Sequence, residues 1–539
     1  MALTAVVHEV QITFVLLLVF IIGFGTLAQR LKTPYPIVLV IGGLLLSFIP
    51  GLPRVSLNPD FIFLAVLPPL LFASATQTSW RDFKYNLVSI LFLAFGLVGF
   101  TVLGVSLAAN LLIPGFDWRL GLVLGAAVAP TDAIAATAIA KRVGLPQHLV
   151  DLLEGESLVN DASGLLALEF STALIVSGTV PSIGEGVLRL IYLVVGGIVI
   201  GVVVAKIVQF IESRVDDAPL EITISLVTPY IAYMSAEALT ASGVLATVAA
   251  GLYLGRQTSY VMSSRVRIEA HSFWNTFSFL LNAIVFLLIG LQLPYILDGI
   301  RSLTVKELLT SAVELSAAVI LLRLIWSFPG SYAAYAVRRY LLRQPAEPPG
   351  MGSALVVGWT GMRGVVSLAA AIAIPATLAS GQPFPLRSVL IFLTFSVILV
   401  TLLLQGLTLP GLIRALHLSE SSGPDPGEQK ARRAMLEAAL NCLQQLRSED
   451  RPEFHSLYDA LSRSYRQRLA LVSGGDEEQE DGSHAGQREH YRLIASKVHE
   501  AERKTLIEMR KRNEINAQVR RALERELDLL DIRFGQSQD

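Results

Sequence analysis

The run Gly155-Glu156-Ser157-Leu158-Val159-Asn160-Asp161-Ala162-Ser163-Gly164 sets acids, hydroxyls and an amide inside an otherwise apolar stretch. On a helix turning 100° per residue, Ser157, Asn160, Asp161 and Gly164 recur at i, i+3, i+4 and i+7 and so share one face. That face offers the hard oxygen ligands an alkali cation takes, with Gly164 leaving room for close approach. Asp161 is its only ionisable member. Low-dielectric surroundings disfavour the charged form of a carboxyl group, so Asp161 is expected to hold either a proton or a monovalent cation. That competition alone would couple the two. The other reading of Asp161 is a buried acid paired with Arg363 or Arg323 for fold specificity.

Further charges interrupt the apolar segments, where each costs roughly 2.5–3.5 kcal/mol on membrane-insertion scales. Glu156, one turn before Asn160, is expected to form a structural ion pair with Arg363, since two buried opposite charges each need a partner; direct ion handling is the alternative for both. Asp132 follows Pro130 and would cap a half-helix N-terminus, where negative charge is favoured, or help hydrate an ion. Thr131 can lend a carbonyl or hydroxyl oxygen to a cation. Glu314 and Arg323 stand on opposite faces of one segment and are expected to find different partners.

The elements that must position these groups are membrane helices. Of 539 residues, 53% are hydrophobic and 16% charged, with a mean hydropathy of +0.57, too apolar for an ordinary soluble domain. A bilayer core takes roughly 20 apolar residues per helix. Splitting the chain at Gly, Pro and charged punctuation predicts an all-α polytopic membrane protein with about thirteen transmembrane helices. Their limits are 11–29, 35–50, 60–76, 86–112, 118–140, 147–178, 183–211, 219–239, 242–256, 272–297, 305–340, 352–380 and 386–415. The division is a transmembrane domain over 1–417 and a helical tail over 418–539. Written as six, one and six, the spans place two interrupted helices at matching positions: Ala129-Pro130-Thr131-Asp132 in the fifth and Gly358 to Gly364 in the twelfth. Proline and glycine weaken a helix, and paired interruptions point to inverted repeats with an ion site where the broken helices cross.

Alternate loops set the expected orientation. One group carries Arg30, Lys32, Arg81, Lys84, Lys141, Arg142, Arg214, Arg256, Arg265, Arg267, Arg338, Arg339 and Arg343, and is expected on the cytoplasmic side of the cell membrane. The other carries Arg54, Arg119, Arg189, Arg301, Lys306 and Arg387. The N-terminus would then lie outside and the tail inside. The first apolar run lacks a basic lead and a cleavage site, so it reads as a retained helix. In the tail, 476–486 reads as an acidic linker, and Ile515, Val519, Leu523, Leu527 and Leu530 form an apolar stripe; a solvated helical appendage, a regulatory element or a subunit-joining element fits both. Net charge is −1, and nothing points to nucleic acid. The single cysteine, Cys442, excludes a disulfide framework or cysteine metal site within one chain and reads as a helix-packing residue. No phosphate-binding loop or metal-ligand spacing appears, so no cofactor is expected. An intramembrane hydrolase lacks a base: no histidine lies deep in a span, and His148 and His271 sit near span ends. A cation channel would need a continuous polar pore.

Taken together, Gly155-Glu156-Ser157-Leu158-Val159-Asn160-Asp161 resembles the signature of the electroneutral sodium/proton antiporters, the branch with Asn-Asp in place of Asp-Asp. Pro68-Pro69-Leu70-Leu71-Phe72, Pro130-Thr131-Asp132, Phe273-Trp274 through Leu291 and Gly361-Met362-Arg363-Gly364 follow in that family's order. The resemblance covers roughly the first 415 residues and leaves the tail unmatched. It implies a homodimer of thirteen-helix subunits, each with a dimerisation part and an ion-carrying core that moves as an elevator. It also implies Na⁺ coordination by Asp161, Ser157 and Thr131, a contribution from Asp132, a Glu156–Arg363 salt bridge and one cation exchanged per proton. Such a protein is a secondary transporter and not an enzyme; Na⁺, Li⁺ and K⁺ all remain open as its cation. Three positions depart from the pattern. Ala73 stands where an acid is common, which alters the expected electrostatics of the entrance, while Ala133 in place of proline and Met362 in place of leucine are expected to leave the site unchanged.

Overall fold

The computed structural model describes residues 2–50, 57–177, 183–300, 304–345, 347–419, 426–449, 451–452 and 455–473. Among them the chain is helical throughout, with one isolated β-bridge, Thr377 to Pro383. The helices run α1 Ala2–Arg30, α2 Tyr35–Leu46, α3 Leu67–Gln77, α4 Trp80–Leu91, α5 Val98–Leu112, α6 Trp118–Val128, α7 Ala133–Val143 and α8 Gln147–Ser177. They continue as α9 Ile183–Glu212, α10 Ala218–Ala238, α11 Gly243–Val261, α12 Ser264–Leu291, α13 Leu293–Asp298 and α14 Val305–Ala336. After these come α15 Met351–Trp359, α16 Val365–Ile372, α17 Arg387–Val400 and α18 Gly406–Ala415. A π-type turn, Phe92–Leu97, joins α4 to α5, and another, Val337–Leu341, closes α14.

Local chemistry sets many of the ends. Side chains of Ser79, Asp117, Asp132, Asp217 and Ser263 each accept a backbone N–H in the first turn of the helix that follows, and Thr304 with Glu307 forms a reciprocal capping box on α14. Such caps are worth about 1 kcal/mol each. Gly144 ends α7 in the left-handed conformation, φ 73°, that glycine adopts without strain.

Seven of the described helical segments are long and apolar enough to cross a membrane, and eight if α6 and α7, bent by 44° at their break, count as one span. The outward faces are apolar: Ile22, Leu111, Leu188 and Val313 are all about two-thirds exposed. In water such surfaces would be an aggregation liability; against lipid tails they are matched to their solvent. Inside, a large apolar cluster joins α1 through α8 to α10 through α18, and a smaller one joins α3, α9, α10, α11 and α12.

The chain separates into two compact units, Met1–Ser421 and Ser422–Asp539. In the second, α19 Pro426–Glu449 and α20 His455–Ser473 are bridged by Arg447 and Asp459 at 3.2 Å. Cys442 lies exposed on α19, which corrects its reading as a packing residue. The acidic linker and the apolar stripe fall outside the described residues.

Candidate functional site

Two helix breaks meet at the centre of the first unit. Between α6 and α7, residues 129–132 leave the helix; between α15 and α16, residues 360–364 do so. A break frees backbone polar groups that must find partners when buried, and these partners come from across the junction. Val128 O accepts from Arg363 Nε at 3.1 Å, Pro130 O from Ser367 Oγ at 3.2 Å, and Asp132 N donates to Met362 O at 2.8 Å. The backbone N–H of Arg363 donates to Thr401 Oγ1, just past the end of α17, at 3.2 Å. Gly364 makes the crossing possible: a Cβ there would stand 2.7 Å from Asp132 Cγ.

The long helix α8 lies along this junction. Ser157 Oγ donates to Thr131 O at 3.0 Å and accepts from Ala133 N at 3.3 Å. Asn160 Nδ2 reaches Thr131 Oγ1 at 2.5 Å and Thr131 O at 3.4 Å. Thr131 Oγ1 in turn donates to Glu156 Oε1 at 3.1 Å. Thr131 is therefore the hub through which the break and α8 hold one another. Gly164 serves the same packing: a Cβ there would lie 2.5 Å from Pro130 Cγ, so the room read as space for an ion is taken by the proline ring.

Asp161 is placed differently. It is 6% exposed, and its carboxylate makes no hydrogen bond or ion pair with any described residue. Instead it lines a cavity of about 110 Å³ together with Thr131, Asp132, Thr137, Ser157 and Ser367. Ligand pockets for organic molecules usually run to roughly 300–1,000 Å³; this one suits a small ion with a few waters. Asp132 caps α7 through Oδ1, accepting from Ile134 N at 2.8 Å. Asn160 does not line the cavity and touches it only through Thr131. No cluster of three or more His, Cys, Asp or Glu side chains suited to a resident metal occurs among the described residues.

The expected Glu156–Arg363 pair is corrected. Glu156 is gripped by Arg323 of α14, with Nη1 to Oε1 at 2.5 Å and Nη2 to Oε2 at 2.9 Å. This two-bond fork is the strongest geometry an ion pair takes, and both side chains are about 99% buried. Arg363 sits at the break itself, where carbonyls freed by both interruptions are nearest, and it donates to Gly361 O and Val128 O. Arg323 was expected only as an alternative base for Asp161, a pair the structure does not make; its signal as the partner of Glu156 was a cation deep within an apolar helix, which demands a buried acid. Ser163, Ser367 and Thr401 were also missed. Ser163 Oγ contacts Ala94 O and Asn160 O, and a serine or threonine in an apolar run carries no spacing that separates such a role from ordinary back-bonding to its own helix.

The family described as "Sodium/hydrogen exchanger, transmembrane" matches residues 15–415. The chain belongs to the sodium/hydrogen exchanger family. Among exchanger relatives, it is 32% identical to the "Uncharacterized Na(+)/H(+) exchanger Rv2287" of Mycobacterium tuberculosis, over 96% of this chain and 95% of that one. It is also 32% identical to the "Sodium, potassium, lithium and rubidium/H(+) antiporter" of Bacillus pumilus, over 85% of this chain and 69% of that one. Its fold is similar to that of the sodium proton antiporter MjNhaP1 from Methanocaldococcus jannaschii, with a TM-score of 0.59 and 21% identity, covering 76% of this chain and all of that one.

Within the exchanger fold, the three departures have distinct settings. Ala73 is buried in the smaller apolar cluster. Met362 gives its carbonyl to the junction and buries its side chain completely in the large apolar cluster. Ala133 donates its N–H to Ser157 Oγ, a bond that proline in that place cannot make.

Proposed function

We propose that this chain is a secondary antiporter that exchanges Na⁺ for H⁺ across a membrane, with cation and proton competing for Asp161. The observation that carries the reading is a buried carboxylate with no protein partner, facing an ion-sized cavity where two broken helices cross. An uncompensated carboxylate in an apolar interior costs several kcal/mol. The carrier can therefore cross between its two faces when Asp161 holds a proton or a cation, and poorly when it holds neither. This forbids the empty crossing that would uncouple the fluxes. Thr131 and Ser157 supply further oxygens, and Asp132 adds negative charge through the same cavity.

The sealed Glu156–Arg323 pair contributes no net charge, and Asn160 cannot ionise, so one cation exchanges for one proton without net charge movement. The exchanging unit is a homodimer whose ion-carrying part, α4–α8 with α14–α18, moves as an elevator against α9–α12. In this reading the chain has thirteen membrane helices in inverted repeats, and the distribution of basic loops favours an N-terminus outside the cell membrane and a 418–539 tail in the cytoplasm. The relative named for sodium, potassium, lithium and rubidium supports a cation range wider than Na⁺, so K⁺ and Li⁺ are included as substrates of the same site.

The test is exchange in proteoliposomes. A pH gradient is imposed, the potential is clamped, and internal pH is followed on adding Na⁺, Li⁺, K⁺ or choline. Cation-dependent proton movement insensitive to the potential is expected, with no response to choline. Acidifying the cation side should raise the apparent KM for Na⁺ while leaving the maximal rate unchanged. A current that follows the potential would favour a channel instead.

A further inference from the structure

Far along α14 from Arg323, the same helix carries a second buried cation with no acid beside it. Arg338 is 9% exposed, and neither its Nε nor its Nη2 has a hydrogen-bond partner. Its guanidinium lies 3.9 Å from the ring centroid of Tyr85, a stacking contact that leaves the in-plane N–H groups free. The residue stands in the π-type turn Val337–Leu341, a distortion that re-aims side chains and recurs at functional sites.

Arg338 lines a cavity of about 890 Å³ bounded by α4, α8, the end of α14 and the start of α15. Arg339 and His148 line it too, and its one acid, Glu347, is exposed and makes no ion pair with Arg338. Two helix N-termini open into the same space: His148 and Leu149 belong to the first turn of α8, and Gly350 and Ser353 to the start of α15. The N-cap of α15 is Gly350, so no side chain satisfies its leading amides. An unpaired buried guanidinium is costly, and helix N-termini attract anions. Both features favour negative charge in this space.

We propose that this cavity binds a phosphate-bearing anion, with Arg338 as its forked donor and the N-termini of α8 and α15 as its cradle. Phosphate suits the set because its several oxygens can meet a bidentate arginine and backbone amides at once. The volume admits more than a bare phosphate, and Leu93, Leu152 and Val357 give the cavity an apolar wall, so a free phosphate compound and the headgroup of an anionic phospholipid share the required chemistry. Occupancy would tie together the ends of three helices whose other parts hold Asp161, Arg323 and the break at 360–364.

The experiment uses the full chain in phosphatidylcholine nanodiscs and reads the thermal unfolding midpoint. Glycerol phosphate is added in one arm and phosphatidylglycerol is built into the disc in the other. The expected result is a rise of several degrees in at least one arm that is lost in Arg338→Gln. A rise with glycerol phosphate identifies a free phosphate ligand, and a rise with phosphatidylglycerol alone identifies a headgroup. If Arg338→Gln does not fold, Ser353→Trp fills the cavity from α15 and should weaken the effective anion at least ten-fold. No rise in either arm for the wild type, or a full rise retained by the folded variant, overturns the proposal.

Discussion

Glu156 and Asp161 lie on one helix, about 140° apart around its axis, and they have opposite fates. Glu156 faces α14 and is closed into a forked pair with Arg323 plus a bond from Thr131. Asp161 faces the crossing of the broken helices and has only the cavity before it. The difference teaches that burial alone does not mark a working carboxylate. A buried acid with both oxygens engaged by protein donors is architecture, whereas one left without a donor beside free volume is available to a mobile partner.

The strongest way to break this contrast is to neutralise each acid in turn. Asp161→Asn removes the only unpartnered carboxylate that the cavity relies on, and cation-dependent proton movement in proteoliposomes should vanish while the protein purifies and melts as the wild type does. Residual exchange in that variant would sink the proposed mechanism. Glu156→Ala should do the reverse in kind: it strands Arg323 as a buried unpaired charge, costing about 3–5 kcal/mol, which would appear as a lowered melting midpoint and poor yield. Replacing both partners, as Glu156→Leu with Arg323→Met, should recover most of that stability, because apolar groups of similar volume substitute well for a buried pair. If Glu156→Ala melts normally yet fails to exchange, the architectural assignment of Glu156 is wrong.

These two acids also show where sequence reasoning reaches and where it stops. The helical face bearing Ser157, Asn160 and Asp161 is legible because helix periodicity is local. The interruptions at 129–132 and 360–364 are legible because Pro130, Gly361 and Gly364 are written in the chain. The pairing of Glu156 is not, since three buried charges allow two pairings, and only the approach of α14 to α8 decides for Arg323 over Arg363. Gly164 shows the same limit. Its lack of a side chain can be read, but what fills the space, the Pro130 ring, cannot. Asn160 is legible as a member of the face, while its contact with Thr131 depends on a segment far away in the chain.

Asn160 sharpens the comparison by standing between the two regions. Its amide holds Thr131, which touches Glu156 on one side and the cavity on the other. Asn160→Ala should loosen Thr131 and lose about 1–2 kcal/mol, read as a rise in the apparent KM for Na⁺ of roughly 5–30-fold with a smaller change in maximal rate. An unchanged KM would mean that Thr131 is positioned by the break alone.

The smallest effect is expected at Ala133, the position where this chain departs from the proline of its family pattern. Ala133 is the first residue of α7, where proline is well tolerated, and Asp132 before it is already extended at φ −95° and ψ 113°, the region a following proline requires. Ala133→Pro should therefore leave the fold intact and delete one bond, the N–H donated to Ser157 Oγ. Ser157 would then keep its own bond to Thr131 O and have a free lone pair facing the cavity. A neutral hydrogen bond is worth about 1 kcal/mol, so the apparent KM for Na⁺ should fall by about five-fold, with Asp161-dependent exchange otherwise preserved. A rise in KM instead would show that the Ala133 bond orients Ser157 toward the cation, and that the hydroxyl works as a positioned ligand through that bond.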